Sequence, residues 1–470
     1  MIFSTYSFIL IFLPIVFGVY FILNKFKQHT IAKIWLIIAS LYFYAQGSAK
    51  FFPFFLGSIF GNYCIGTALT KLKEKGDIKQ LKLLLVLGIV ANVVLLGYYK
   101  YTDFFIENIN FLTGANIALK NIALPIGISF FTFQLIAFLV DSYRGETKDY
   151  DIIDYLLFIT FFPQLIVGPI VHHKEMVTQF EDEKNLKLNW DNIALGIFVF
   201  AIGCAKKMLI ADILTTNAQS FFESANSAFT FLNTWFYSLE YTISYYFDLS
   251  GYADMAIGLG LMFNIVIPQN FNSPYKATDF QEYWKRWHMT LSRFLSTYIF
   301  RNVYKKECKW RNYYIATMVT FFVSGFWHGA GWNFIVWGLV NGILVCIAAY
   351  RNRKGKKSPY LLAFILNFIL VIMTRVLFVS ESFTYAWEVY KGMFNFASLA
   401  NTDFLAFWNN NMKEILVTLL GIGICFFAPN TSQICEKFKT NIPYLLYAVI
   451  LLGVCLVTMD KVVNFLYFQF

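Results

Sequence analysis

FFVSGFWHGAGWNFIVWG, residues 321–338, sets two apolar runs end to end with a glycine-rich turn between them and one histidine, His328, at the break. The run before the turn extends back to Tyr313 and the one after it on to Tyr350. Each is the centre of a stretch able to cross a bilayer, which takes about 17–25 residues. Similar runs recur in both directions: Ile122 to Val140, Leu81 to Tyr99 and Phe8 to Leu23 on one side, Leu361 to Val379, Ile415 to Phe427 and Tyr444 to Val457 on the other. Of the 470 residues 58% are hydrophobic and 14% charged, against roughly 45–50% and 25% in soluble domains. Mean hydropathy is +0.55. The chain reads as an all-α, polytopic integral membrane protein of roughly ten to twelve transmembrane helices.

A net charge of +10 does not point to nucleic acid, because the basic residues form no single patch. They fall in short clusters between apolar runs, Lys25 to Lys33, Lys71 to Lys82, Lys285 to Arg311 and Arg351 to Lys357, the pattern of loops kept on the cytoplasmic side of a membrane. The first apolar run has its lysines after it, which predicts a retained span with the N-terminus outside and not a cleaved signal. Seven dispersed cysteines imply neither a disulfide framework nor a CxxC metal pair. With no internal repeat or linker, residues 1–470 read as a single membrane domain. Its parts are N-terminal spans over 1–120, a core over 121–350 that the family resemblance given below makes catalytic, and C-terminal spans with an aromatic tail over 351–470.

The middle of the chain is less regular. FFPQLIVGPIVHH (161–173), YFDLSGYADMAIGLG (246–260) and IVIPQNFNSPY (265–275) interrupt the apolar pattern with proline, glycine and charge. Such breaks are tolerated at membrane depth where the chain is buried in protein or lines a wet cavity, so they predict re-entrant or broken helices, with kinked packing as the plain alternative. From Glu282 to Ile299 the spacing is amphipathic: Trp284, Trp287, His288, Leu291, Leu295 and Tyr298 share one side, and Lys285, Arg286 and Arg293 the other. That pattern predicts one helix lying in the cytoplasmic interface.

Of the five histidines, His29 sits in a basic loop. His172 and His173 are adjacent, and on a helix they point about 100° apart and cannot face one metal together. His328, walled by Trp327 and Trp332 among glycines, is the candidate functional group, since an ionisable residue at membrane depth is costly. Desolvation favours its neutral ring, which suits a general base. Asp248 and Asp254 are two further intramembrane charges, able to cap a helix, bind a cation or orient a partner. No HExxH, P-loop, GxSxG or complete GxGxxG occurs, so metal, nucleotide and serine-hydrolase chemistry find no support.

Three blocks, residues 161–176, 245–295 and 321–338, together resemble the signatures of the membrane-bound O-acyltransferase (MBOAT) superfamily. The similarity is to its bacterial branch of alginate and peptidoglycan O-acetyltransferase membrane subunits and the D-alanine transfer protein of teichoic acid synthesis. The resemblance implies helices around a central channel in the cytoplasmic (inner) membrane, an acyl donor such as acetyl-coenzyme A entering from the cytoplasm, and a polysaccharide acceptor served outside. It places the family's invariant histidine at His328 and its second motif position at His288. It puts Asp248, Asn333, Trp327 and Asp254 at channel-lining or supporting positions, and it makes Lys285, Arg286 and Arg293 suited to an anionic donor. The HGAG amides or the Asn333 amide are candidate donors to a developing oxyanion. The resemblance further implies a secreted SGNH-type acyltransferase or esterase as partner, with membrane lipids around the chain and no bound cofactor.

D-alanyl transfer to teichoic acid is the alternative within the family, and a transporter or channel the alternative outside it. The ending NFLYFQF, residues 464–470, reads from composition as an aromatic belt at the outer interface. By resemblance it matches the family's FxYFxF ending, which would make Tyr467 a temporary acyl acceptor.

Overall fold

The computed structural model describes residues 1–147, 150–224, 228–305, 309–356 and 358–459. Among them there are helices and connecting turns and no strand. Local chemistry sets many boundaries. Asp77, Asp151, Asp279, Ser382, Asp403, Asn430 and Asn441 each accept a backbone N–H at a helix start, and Gly76, Gly114 and Gly145 end helices in the left-handed conformation.

Seven helical stretches among the described residues are long and apolar enough to cross a bilayer: Ser7–Lys25, His29–Lys75, Ile78–Thr113, Trp190–Glu223, Trp332–Arg353, Tyr360–Val379 and Phe404–Phe427. His29–Lys75 holds two consecutive helices, His29–Ser48 and Phe52–Lys75. The distance from the ten to twelve spans expected lies in four more helices. Ile128–Arg144 and Ile442–Val457 are 17 and 16 residues long, and Phe231–Met262 and Lys309–His328 carry too many polar residues. On Ile78–Thr113 the side chains of Leu83, Leu87, Val90 and Val94 are exposed, an apolar surface suited to a lipid surround.

Two compact units divide the chain: Met1–Ile197 with Met255–Pro268, and Phe198–Asp254 with Gln269–Phe470. In the first, an aromatic cluster of Phe8, Phe12, Phe43 and Phe162 packs around the N-terminal helices. Asn62 and Asn92 exchange amide hydrogen bonds of 3.1 and 2.7 Å between neighbouring helices. The second unit contains His328 and is described with the site.

Two expectations about the irregular middle change. YFDLSGYADMAIGLG is not a break: it lies inside one helix, Phe231–Met262, because its aspartates find lysine partners and need not cap anything. The segment Glu282–Ile299 is not one helix. It comprises Phe280–Arg286, Met289–Leu295 and the first part of a wider π-helical turn, Ser296–Phe300. His288 lies at the first break with φ 45° and ψ 53°, a left-handed conformation uncommon for a residue with a side chain. By contrast FFPQLIVGPIVHH is broken as expected, into a four-residue turn of helix at Phe162–Leu165 and a non-helical stretch after it.

Candidate active site

His328 ends the helix Lys309–His328 and is 5% exposed. Three rings box its imidazole, with centroids at 4.9 Å for Trp327, 5.0 Å for Trp337 and 5.3 Å for Phe378, the last two edge-on at 87° and 78°. The box exists because two helix backbones meet just before it. A Cβ built on Gly325 would lie 2.4 Å from the Phe334 carbonyl oxygen, and one on Gly338 2.4 Å from that of Phe321. Only glycine allows Lys309–His328 and Trp332–Arg353 this close. Asn333 adds a strut, its amide Nδ2 donating to the Ser380 carbonyl at 2.7 Å and the Leu377 carbonyl at 3.4 Å. Those donors tie Trp332–Arg353 to the end of Tyr360–Val379 next to the site.

Across Phe378 from His328 lies a residue the sequence reading passed over. Arg375 sits inside the apolar run Leu361 to Val379 and is 5% exposed. Its guanidinium lies 4.2 Å from the Tyr245 ring centroid, 5.0 Å from Trp287 and 5.4 Å from Phe378, and its Nη2 is 3.4 Å from the Tyr283 hydroxyl. Among the described residues its Nε meets no acceptor. Rings stabilise such a cation by roughly 2 kcal/mol each when desolvated, but they do not replace an oxygen acceptor. The arrangement is open to a carbonyl or an anion. An arginine in the middle of a spanning run is the signal that marks it from sequence.

His288 joins the same cluster from the other end. Trp287, its neighbour in sequence, stacks with Tyr245, Tyr275 and Tyr283 at 5.9, 6.0 and 5.6 Å, and the His288 ring lies 6.0 Å from Phe271. Asn270 fixes the turn that carries it: its carbonyl accepts from Met289 N–H at 2.8 Å, and its Oδ1 from the Thr290 hydroxyl at 2.8 Å. Burial pushes the His288 imidazole down to about 3, so its ring is neutral at physiological pH. One aromatic cluster with Arg375 in it therefore connects the two histidines named by the motif.

A cavity of 240 Å³ opens beside the cluster, lined among others by Trp284, Lys285, Leu291, Thr317, Phe321 and Ser324. Trp284 stands 5.7 Å from Trp337, which walls His328, and among the described residues its Nε1–H has no acceptor. Ser324 is one helical turn from His328. Lys285 is exposed at the rim. Arg286, by contrast, is paired with Glu282 Oε1 at 2.6 Å, and Arg293 is exposed outside the lining.

Asp248 and Asp254 belong to a different part of the same unit. Consecutive lysines, Lys206 and Lys207, start a π-helical stretch, Lys206–Ala211. Lys207 Nζ lies 2.5 Å from Asp248 and 2.7 Å from Asp212, all three buried. Lys206 Nζ reaches Asp254 at 2.6 Å, and the Thr431 hydroxyl donates to the same carboxylate oxygen at 2.6 Å. The aspartates are thus neutralised inside the unit. Tyr467 and the rest of the aromatic tail lie outside the described residues.

Comparison with known proteins adds the following. The family model for the membrane-bound O-acyltransferase family matches residues 82–383. The chain is 39% identical to the peptidoglycan O-acetyltransferase of Helicobacter pylori, over 100% of this chain and 98% of that protein. It is 35% identical to the probable alginate O-acetylase AlgI of Pseudomonas aeruginosa, over 85% of this chain and 76% of that one. With the teichoic acid D-alanyltransferase of Bacillus subtilis it shares 28% identity over 55% of this chain and 67% of that protein.

Proposed function

This chain belongs to the membrane-bound O-acyltransferase family and is a multi-pass membrane O-acyltransferase; from that premise we propose that it takes an acetyl group from cytoplasmic acetyl-coenzyme A for O-acetylation of an extracytoplasmic polysaccharide. Membership sets the transporter or channel reading aside. The observation that carries the proposal is the boxed, buried His328 with an acceptor-seeking guanidinium, Arg375, across Phe378.

In the proposed reaction the pantetheine arm of the donor enters the cavity beside Trp284, its phosphates near Lys285. A hydroxyl oxygen attacks the thioester carbonyl carbon while His328 takes the hydroxyl proton. Arg375 receives the negative charge that develops on the carbonyl oxygen. The C–S bond then breaks, and the proton passes from His328 to the departing thiolate. The attacking hydroxyl is that of Tyr467, and a secreted SGNH-type partner carries the acetyl group from the tyrosine to the polymer. The lysine clusters support an orientation with both termini outside, and a cytoplasmic donor supports the inner membrane as its place. Acetyl is preferred over D-alanyl because the relatives named as acetyl-transferring proteins are more similar and match more of the chain.

The test uses membranes containing the full chain and acetyl-coenzyme A labelled in the acetyl group. His328→Ala is expected to lose transfer while keeping its expression and detergent elution profile, and Tyr467→Phe to lose label on the protein and on the polymer. Full transfer by His328→Ala overturns the assignment of the base. Label arriving only from a D-alanyl carrier redirects the donor.

A further inference from the structure

A second cluster of chemistry lies in the first unit, at residues that the proposed reaction does not involve. The helix Ile128–Arg144 ends in a tight reversal: Gly145 takes φ +78° and Glu146 N–H donates to the Asp141 carbonyl at 2.8 Å. This folds Glu146 back toward Asp141. Two imidazoles arrive from elsewhere in the same unit. His172 is the extended N-cap, with φ −81° and ψ 140°, of the helix His173–Glu181, and His173 is its first residue. The expectation that these neighbours point about 100° apart holds for two helical residues; here only one is helical, and the rings turn to the same place. Both Nε2 atoms lie 3.2 Å from Asp141 Oδ2. One ligand atom from each of Asp141, Glu146, His172 and His173 lies within 4.8 Å of the others.

These distances have a chemical meaning. Ligands on a tetrahedral ion with bonds of about 2.0–2.1 Å are separated by about 3.3–3.4 Å, close to the spacing of each imidazole nitrogen from the carboxylate oxygen. The His173 side chain is 1% exposed and that of Asp141 0%. Although His173 Nε2 is within reach of Asp141, among the described residues it makes no aligned hydrogen bond. Its other nitrogen, Nδ1, is 2.8 Å from the Tyr150 hydroxyl, the kind of outer partner that fixes a metal-bound imidazole.

We propose that Asp141, Glu146, His172 and His173 form a binding site for one divalent transition-metal cation, zinc in the first instance, which staples the end of Ile128–Arg144 to the start of His173–Glu181. Two carboxylates neutralise the ion, and two imidazoles favour zinc and its neighbours over magnesium or calcium. Binding displaces two weaker arrangements. Lys174 Nζ, 2.7 Å from Glu146 Oε2, gives up that half-exposed pair. His172 Nδ1, which accepts a long 3.4 Å contact from the Lys174 N–H, gives that contact up and takes the ring proton from Nε2, whose freed lone pair turns to the metal. Arg144 Nη1, 3.5 Å from Asp141 Oδ1, stays on the outer oxygen.

The full-length chain is purified in detergent with any affinity tag removed, stripped with chelator, loaded with zinc and desalted. Metal per protein is measured by mass spectrometry, and affinity by competition with a chromophoric zinc chelator. One zinc per chain is expected, lost in Asp141→Asn and His173→Ala and kept in His29→Ala. Tyr150→Phe, which removes only the oxygen behind His173, weakens affinity by about 10–100-fold. His172→Ala and Glu146→Gln alter partly exposed side chains, so they report even if a buried variant fails to fold. Wild-type protein holding no zinc after desalting, or His172→Ala and Glu146→Gln both binding it with unchanged affinity, overturns the proposal.

Discussion

Replacing Lys207 by methionine removes one charge from a deeply buried ion cluster and leaves the side-chain stem in place. The ammonium stands 2.5 Å from Asp248 and 2.7 Å from Asp212, and the three side chains are 1%, 0% and 7% exposed. With an effective dielectric of about 20, each contact is worth roughly 6 kcal/mol of attraction. The cost of taking these ions out of water offsets much of that, and breaking a buried pair from one side costs about 3–5 kcal/mol. One lysine here serves two carboxylates, so the expected loss is near the upper end, about 4–5 kcal/mol. Equilibrium unfolding of the purified protein in mixed detergent micelles measures it. Lys207→Met combined with Asp248→Asn and Asp212→Asn removes the leftover negative charge and is expected to recover much of the loss. A single variant within about 1 kcal/mol of wild type, or a neutral triple variant no better than the single, would refute the reasoning that charge compensation holds this region together.

Arg375→Lys keeps the charge and loses the flat, forked donor set, so steady-state acetyl transfer is expected to fall in kcat by about 10²–10³ with the donor KM little changed; wild-type kcat would remove Arg375 from the reaction. His288, held at about 3 by burial instead of the usual 6.5, stays neutral when folded while the unfolded chain takes up a proton. Its contribution to stability is therefore complete above pH 6.5 and is lost as pH falls toward 3, at up to about 1.4 kcal/mol per pH unit. Unfolding measured from pH 7 to pH 4 should show a shallower slope in His288→Asn. Gly338→Ala places a Cβ 2.4 Å from the Phe321 carbonyl oxygen, so it should cost about 1–3 kcal/mol and lower kcat through the displaced His328, read by unfolding and transfer assays side by side.

What could be read from the sequence and what could not divides along the range of the interactions. The apolar runs, their basic flanks and the isolated His328 are local patterns, and the helices follow them to within a few residues in most cases. Asp248 and Asp254 were visible as unusual charges, but their meaning was not, because it depends on lysines some 41 and 48 positions away. Arg375 was hidden by the run around it: a window of apolar residues averages one arginine away, while only the fold brings Tyr245, Trp287 and Phe378 to its faces. The break at His288 was obscured for the opposite reason. Helical spacing continues through it, but Asn270 holds the turn from outside the segment. His172 and His173 show the cost of assuming a regular helix where the chain is only entering one.

The touching backbones at Gly325 and Gly338 also bear on how such an enzyme can diversify. The helix that carries His328 is held by main chain against main chain at these glycines, a contact that involves none of the side chains lining the neighbouring cavity. Trp284, Thr317 and Thr320 line that cavity, and under the proposed reaction exchanging them would admit a longer or shorter acyl group. On that reading donor preference and chemical competence would be separable heritable traits, and a library restricted to those three positions should yield new specificities without first sacrificing turnover.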